Sequence, residues 1–242
     1  CIRDSMVDVD SRKWLDLAGR SAGPKRWLFQ REARTLGAFE AQVAERTALT
    51  LTVNDRERAA LKALAPSARV VTLPNGIDCT AFCPTSLPGH LPVVVFTGVM
   101  NYEPNERGAR WLARDVWPVV RDRRPDAMLR LVGANPSPAI RRLHSPTQGI
   151  HVTGGVPDVR PHLWEAALAV APLHVARGLQ NKVLEALAAK LPCVVTSVVA
   201  EGLPTQALSG CRIANTPEQF ASEILELLRW NPEAVSYTHL TL

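Results

Sequence analysis

The sequence predicts an α/β protein whose parallel sheets carry helices on both faces. Short apolar strands alternate with amphipathic helices through most of the chain, which is the pattern of a doubly wound sheet. Two strands, Val93–Phe96 and Cys193–Val195, are apolar without interruption, as expected for strands that are buried on both faces. With 242 residues, of which 46% are hydrophobic, the chain can bury a sizeable core.

Residues 1–73 form the first predicted block, a partial α/β domain. Helices are expected over Ser11–Leu17, Pro24–Phe39 and Arg56–Ala63, and strands over Leu49–Val53 and Arg69–Leu73. Asn54 and Asp55 precede the third of these helices and are expected to cap it. The stretch 74–91 contains Pro74, Asn75 and Gly76 and further prolines, so it is predicted to be an interdomain linker.

Residues 92–230 form the second predicted block, a complete domain. Its expected strands are Pro92–Gly98, Ala127–Gly133, Gly149–Gly154, Leu168–Leu173, Pro192–Thr196 and Cys211–Ala214. Its expected helices are Asn105–Arg124, Pro138–His144, Asp158–Ala166, Asn181–Lys190 and Thr216–Trp230, with Pro118 as a kink in the first. Ligands bind beyond the carboxyl ends of such strands, so the loops 98–105, 154–158 and 174–181 are the candidate binding segments.

Composition excludes several classes of function. The net charge of +5 and the pI of 9.2 suit an anionic ligand but are too weak to predict binding to nucleic acid. No apolar run approaches the about 18 residues that a membrane helix needs. No zinc-ligand spacing occurs, and the five cysteines are expected to be free thiols in a reducing cytoplasm.

Both ends of the chain have an unusual character. The opening, Cys1–Asp10, lacks the features of a signal peptide, and its strand-like fragment suggests that an N-terminal portion is missing. The tail 231–242 is expected to be non-native.

The loop before the helix Asn181–Lys190 is the most informative segment for chemistry. A helix N-terminus attracts phosphate through its free N–H groups and its dipole, and Arg177 and Lys182 would add positive charge there. Glu185 lies one turn after Lys182 and could accept hydrogen bonds from two ribose hydroxyls. The alternative is an exposed arginine beside an ordinary ion pair between Lys182 and Glu185.

The loop after the strand Pro92–Gly98 is the second candidate. Gly98 would let a ligand approach the backbone, whereas Asn105 is expected to cap the following helix. Neither the Gly-x-Gly-x-x-Gly fingerprint nor a Walker loop occurs. Glu201 could line the cleft or simply form a turn, and Asp158 is expected at a helix start.

Five segments form a recognisable series along the chain: Val71–Asp78, Val93–Gly98, Val156–Pro161, Lys182–Thr196 and Ala200–Leu203. In this order and at this spacing they resemble the motifs of family-4 retaining glycosyltransferases. The resemblance covers nearly the whole chain to about residue 230. The segments Tyr102–Asn105 and Ala176–Lys182 are similar to those of sugar transferases linked to exopolysaccharide systems.

This resemblance implies a GT-B fold, in which two Rossmann-like domains enclose the active site. The chain would hold the complete C-terminal domain and the end of the N-terminal, acceptor-side domain. The protein would move a sugar from a nucleotide-diphosphate donor to a glycan or lipid-linked acceptor, with retention, without a metal or a cofactor, and in polysaccharide biosynthesis. It would work in the cytoplasm, with peripheral contact at the inner face of the membrane left open.

The resemblance also implies roles for individual residues. Glu185 would hold the donor ribose, Lys182 and Arg177 the diphosphate, and Gly98 would allow its close approach. Donor binding is further expected at seven other positions, namely Asn105, Val156, Asp158, Gly178, Gln180, Asn181 and Glu201.

Two departures from the family pattern affect these expectations. Arg177 occupies the position eight before Glu185, where the family has a glutamate that contacts the donor sugar. The Gly-Arg and Lys-Gly pairs expected after the first strand are replaced by Met100 and Asn101. A non-catalytic nucleotide-sugar-binding module is therefore the alternative function. A third hypothesis is that the chain is an unrelated doubly wound domain. With about 90 residues before Val93, against about 150 in a complete domain, this chain is expected to bind donor weakly and not to turn it over.

Overall fold

The computed structural model describes residues 5–6, 9–19, 21–84, 91–176 and 178–229. Contacts divide these residues into two units. The first contains the described residues up to Gly76 together with Gly178 and Leu179, and the second contains Ile77 to Ala176 and the described residues from Gln180 onward. The division falls inside the predicted linker 74–91, of which residues 85–90 lie outside the described part, as does the predicted tail 231–242.

The first unit contains a three-stranded parallel sheet in the order β1-β2-β3, with three helices. Its strands are β1 Ser5–Met6, β2 Thr50–Thr52 and β3 Val70–Thr72, and its helices are α1 Asp10–Gly19, α2 Gly23–Arg46 and α3 Asp55–Leu64. Its core contains Val9, Ala44, Leu61, Ala65, Ala68 and Val70. The side chain of Asn54 accepts a hydrogen bond from the N–H of Glu57, which confirms the predicted cap of α3.

Two buried glutamate side chains accept hydrogen bonds from backbone N–H groups at the start of α1. The Glu57 carboxylate accepts a hydrogen bond from the N–H of Val9 at 2.7 Å, and that of Glu40 accepts one from Ser11 at 3.2 Å. These N–H groups have no partner within the helix, and carboxylates interact favourably with the positive end of the helix dipole. Side chains distant in sequence therefore hold the start of α1 in place.

The second unit is built on a six-stranded parallel sheet in the order β6-β5-β4-β7-β8-β9. Its strands are β4 Val93–Thr97, β5 Met128–Val132, β6 Ile150–Gly154, β7 Leu168–Ala171, β8 Cys193–Val195 and β9 Cys211–Ile213. Each corresponds to a predicted strand. From β4 the chain adds strands first on one side and then, from β7 on, on the other. The strand order therefore reverses between β4 and β7, which is where α/β sheets bind ligands.

The helices of this unit are more divided than the sequence predicts. They are α4 Cys79–Phe82, α5 Glu103–Trp111, α6 Trp117–Arg123, α7 Pro138–Arg141, α8 Arg160–Trp164, α9 Asn181–Ala188, α10 Ser197–Ala200 and α11 Pro217–Leu227. Helices α4 and α10 were not predicted. Helix α4 lies in the segment predicted as linker, and it packs against α9.

The predicted helix Asn105–Arg124 is interrupted by a π-helical turn over Leu112–Val116, which separates α5 from α6. Within it, the N–H of Trp117 bonds to the carbonyl of Leu112, five residues earlier. Pro118 has no N–H to offer the preceding turn, so a widened turn is favoured just before it. Asn105 was expected to cap α5, and this prediction was wrong. Tyr102 is the residue before the helix, and Asn105 lies inside its first turn.

The core of the second unit lies between the sheet and its covering helices. Phe96, Leu129 and Leu131 are fully buried on β4 and β5, and Trp117 is 1% exposed. The Trp117 indole N–H donates to the carbonyl of Gln148 at 2.8 Å, so this polar group is satisfied inside the core. Among the described residues no helix is both long and apolar enough to cross a membrane.

Candidate nucleotide-sugar site

A cavity of about 330 Å³ lies at the carboxyl ends of β4 and β5, beside the start of α9. Through the end of β4, and through α9, which follows β7, the cavity adjoins the point between β4 and β7 where the strand order of the sheet reverses. Its lining comes from three loops and from α9, namely Thr97, Gly98, Val99, Val132, Gly133, Ala134, Val156, Val159, Lys182 and Glu185. Four residues predicted from sequence, Gly98, Val156, Lys182 and Glu185, are therefore brought together.

Two glycines allow the ends of β4 and β5 to lie close together at the base of the cavity. A Cβ on Gly133 would overlap the carbonyl oxygen of Gly98, and Gly133 has a φ of +151°, which few other residues adopt. The N–H of Gly98 donates to the carbonyl of Val132 at 3.0 Å, which draws the two strand ends together. A Cβ on Gly98 would lie 2.8 Å from the amide nitrogen of Asn105 and 3.2 Å from Nζ of Lys182. Larger residues here would displace the groups that line the cavity.

Lys182 supplies the positive charge of the cavity. Its ammonium donates a hydrogen bond to Oδ1 of Asn105 at 2.6 Å and lies 5.0 Å from the centroid of the Phe96 ring. Burial lowers the pKa of Lys182 to about 8, although the nearby Glu185 carboxylate acts in the opposite direction. A desolvated ammonium interacts more strongly with an anion than one in water.

Asn105 connects the loop after β4 with the start of α9. Its amide nitrogen donates to the carbonyl of Val99 at 2.9 Å, and its amide oxygen accepts from Lys182. Asn105 is 5% exposed, so both interactions are shielded from water. The residue that was expected to cap a helix instead fixes the position of the lysine ammonium.

Glu185 follows Lys182 by one turn of α9, as the sequence predicts. Its side chain is half-buried, and burial raises the pKa of its carboxyl group while the Lys182 charge lowers it. A carboxylate in this position can accept two hydrogen bonds from vicinal hydroxyl groups.

The other predicted site residues that belong to the described part of the chain do not line the cavity. Asp158 binds Arg160 through its carboxylate at 2.7 to 3.0 Å, and this interaction lowers the pKa of Asp158. Glu201 is exposed at the end of α10. Gly178, Gln180 and Asn181 precede or begin α9, and Arg177 lies outside the described residues.

These positions follow from local structure. Gly178 has a φ of +62°, a left-handed conformation that glycine adopts easily. Gln180 is the residue before α9, and its carbonyl accepts from the N–H of Val183 at 2.9 Å. Asn181 is the exposed first residue of the helix. Their predicted contacts with a donor remain predictions.

Sequence reasoning did not single out six of the lining positions, namely Gly133, Thr97, Val99, Val132, Ala134 and Val159. One signal could have found the first of them. Gly133 directly follows its strand as Gly98 follows the neighbouring one, and paired glycines at adjacent strand ends indicate a close backbone approach. No comparable local pattern distinguishes the other five.

The family model for "Glycosyl transferases group 1" matches residues 91–229, which is more than half of the chain. The chain belongs to this family. The match covers the whole of the described six-stranded sheet and all the lining residues of the 330 Å³ cavity. No curated protein sequence matches the chain.

Several solved structures are similar to this chain. A variant of S. aureus TarM in complex with fondaparinux, α-GlcNAc-glycerol and UDP has a TM-score of 0.68 at 14% identity and covers 85% of this chain. WaaG, described as a glycosyltransferase involved in lipopolysaccharide biosynthesis, has a TM-score of 0.67 at 18% identity and covers 90%. Anabaena HepE, in complex with UDP and glucose, has a TM-score of 0.62 at 13% identity and covers 81%.

At these identities the likeness shows the fold, which is the GT-B type of parallel α/β architecture. The chain spans 41% of the TarM chain, 64% of WaaG and 58% of HepE. It therefore corresponds to part of each of these proteins.

Proposed function

We propose that the protein transfers a sugar from a nucleotide-diphosphate sugar to a glycan or lipid-linked acceptor. The observation that carries the proposal is the cavity at the reversal of strand order, where a desolvated lysine ammonium and a half-buried carboxylate meet two closely packed glycines. Membership of the group 1 family supports it, as do the UDP and UDP-glucose complexes of fold neighbours.

In this proposal the diphosphate lies against Lys182. The bond between sugar and diphosphate breaks with negative charge developing on the leaving phosphate, and a fixed ammonium stabilises that charge. Asn105 holds the ammonium in place before the donor arrives, so little reorganisation is needed. Gly98 and Gly133 leave the backbone accessible to the phosphates.

Glu185 is proposed to bind the donor ribose. Its carboxylate can accept hydrogen bonds from both ribose hydroxyls, and Val156 and Val159 form an apolar wall of the same cavity. The wall is suited to the nucleoside, whose base is planar and partly apolar. Arg177 is proposed to add a second positive charge at the diphosphate.

The finer features of the reaction are proposals as well. Retention of configuration and a role in polysaccharide biosynthesis follow only from the motif resemblance. Independence from metals and cofactors rests on the Lys182 ammonium, which supplies the charge that a divalent cation provides elsewhere. In a form of the protein with a complete acceptor-side domain, turnover that is unchanged in the presence of EDTA is the expected result.

The proposed place of action is the cytoplasm, where the nucleotide-sugar donor would be found. For a lipid-linked acceptor, the protein would act at the cytoplasmic face of the membrane. Co-sedimentation with vesicles that contain anionic lipid would test the membrane contact.

Calorimetric titration with UDP, GDP and ADP sugars tests the donor site. One nucleotide class should bind, and Lys182→Ala should weaken that binding about tenfold to a hundredfold, as expected for loss of a charged hydrogen bond. Lys25→Ala is the matched control, because it removes the same charge from an exposed position on α2. Equal affinity in the wild type and the Lys182 variant would refute the assignment.

A non-catalytic nucleotide-sugar-binding module is the second candidate. Arg177 favours it, because this residue replaces the glutamate that contacts the donor sugar in the family motif. Release of free nucleotide from the donor in the presence of acceptor, measured on a form of the protein with a complete acceptor-side domain, distinguishes the two functions. Tight binding by that form without release would support the binding module.

A further inference from the structure

A second, larger cavity of about 630 Å³ lies on the same unit, along α5 and the π-helical turn that follows it. The described residues that line it are Arg107, Arg110, Trp111, Arg114, Asp115 and His174. None of them lines the 330 Å³ cavity. The two cavities therefore present different chemistry, and the proposed nucleotide-sugar function makes no use of this one.

The position of the helix is set by a small residue. A Cβ on Gly108 would lie 2.6 Å from the carbonyl oxygen of Pro172, so only glycine allows α5 to approach the end of β7 this closely. The approach brings Trp111 on the helix against His174 in the loop after β7. The cavity is thus part of the packed structure.

Three of the six described lining residues are arginines. Arg107, Arg110 and Arg114 follow one another along one side of the helix over about 10 Å, calculated from the rise per residue. Asp115 is the one carboxylate among the described lining residues. Guanidinium groups spaced in this way can bind one or two anionic groups in bidentate fashion.

Internal ion pairs neutralise these arginines only in part. Arg107 lies 3.5 Å from Glu103 and Arg110 lies 3.8 Å from Glu106, and such solvent-exposed pairs contribute little free energy. Nε of Arg110 is buried and has no hydrogen-bond partner among the described residues.

An aromatic wall completes the cavity. The ring of Trp111 meets His174 edge-to-face at 4.8 Å and Phe220 at 5.3 Å, with interplanar angles of 88° and 85°. These contacts hold the indole rigidly. An indole offers a broad apolar surface, and a pyranose ring offers a face of C–H groups with hydroxyls at its edge.

We propose that this cavity binds an anionic saccharide, that is, a sugar that carries a phosphate or carboxylate group. The arginines bind the anionic group, and Trp111 packs against the sugar ring. A volume of about 630 Å³ accommodates one or two sugar units. The proposal does not depend on the nucleotide-sugar site and stands if that site is refuted.

The test is calorimetric titration with glucose 6-phosphate, with glucose and inorganic phosphate as separate probes. Glucose 6-phosphate should bind more tightly than either, and added salt should weaken its binding. The double variant Arg110→Gln/Arg114→Gln should lower its affinity at least about tenfold. Arg123→Gln is the matched control, because it removes the same charge from an exposed position on α6 outside the cavity.

Lys182→Ala distinguishes the two cavities, since phosphate groups are also expected in the first. Binding that survives Lys182→Ala and is lost in the double arginine variant supports the proposal. Binding that survives the double variant overturns it, and equal affinity for inorganic phosphate and glucose 6-phosphate overturns the assignment to a sugar. Matching thermal unfolding midpoints for wild type and variants verify that the variants fold.

Discussion

Binding of the nucleotide diphosphate should depend on pH through Lys182. Burial lowers the pKa of this residue to about 8, so its ammonium is charged below that pH and becomes neutral above it. Only the charged form attracts the diphosphate. Affinity should therefore be constant at lower pH and fall as the pH rises through about 8.

The size of the effect follows from the fraction of lysine that carries its proton. With a pKa of about 8 this fraction is about 0.9 at about pH 7 and about 0.1 at about pH 9, so the association constant should fall about tenfold. In a nucleotide-diphosphate sugar each phosphate has a single, strongly acidic oxygen, so the diphosphate keeps its charge over this interval. Calorimetric titration at the two pH values, with the nucleotide class that binds, measures the ratio directly.

Lys182→Arg is the informative variant for this prediction. A guanidinium stays protonated throughout this range, so the variant should bind with an affinity that does not change with pH. A wild-type affinity that is the same at both pH values would refute the lowered pKa. The same decline in wild type and variant would show that another group titrates.

Three further predictions concern the packing around this cavity and the thiols. Asn105→Asp places a carboxylate beside the lysine ammonium and should raise its pKa, which moves the pH-dependent fall in nucleotide binding to higher pH. Gly133→Ala should lower the free energy of unfolding by about 3 kcal/mol or more in denaturant titration, whereas Gly155→Ala, whose Cβ would meet only ordinary contacts at 3.7 Å, should change it little. Cys193 is buried and its thiol pKa is raised, so it should react with maleimide only after unfolding, whereas the exposed Cys79 should react in the folded protein, as followed by peptide mass spectrometry.

Several elements were predictable because their signals are local. The apolar runs of β4 and β8 mark buried strands whatever their neighbours are, and the Asn54 cap needs only residues within one turn. The spacing of Lys182 and Glu185 on one helix likewise follows from helical geometry alone. These predictions needed no knowledge of which strands are adjacent.

Other features depend on residues that are far apart in the chain. Asn105 and Lys182 are separated by 77 positions, and only the adjacency of β4 and β7 brings their side chains together. The π-helical turn before Pro118 arises where a proline falls within a helix that also packs against α11, and helical periodicity does not reveal such a turn.

The sequence by itself determined the alternation of strands and helices, the parallel α/β class and the segments that approach a ligand, because hydrophobic periodicity and turn chemistry act over a few residues. Only the tertiary structure decided which side chains meet. It placed Gly133 against Gly98, directed Asn105 to the lysine instead of to a helix end, and aligned three arginines with an aromatic wall. Such contacts form between residues that are far apart in the chain. Their geometry follows from the strand order of the sheet, and no local sequence pattern encodes that order.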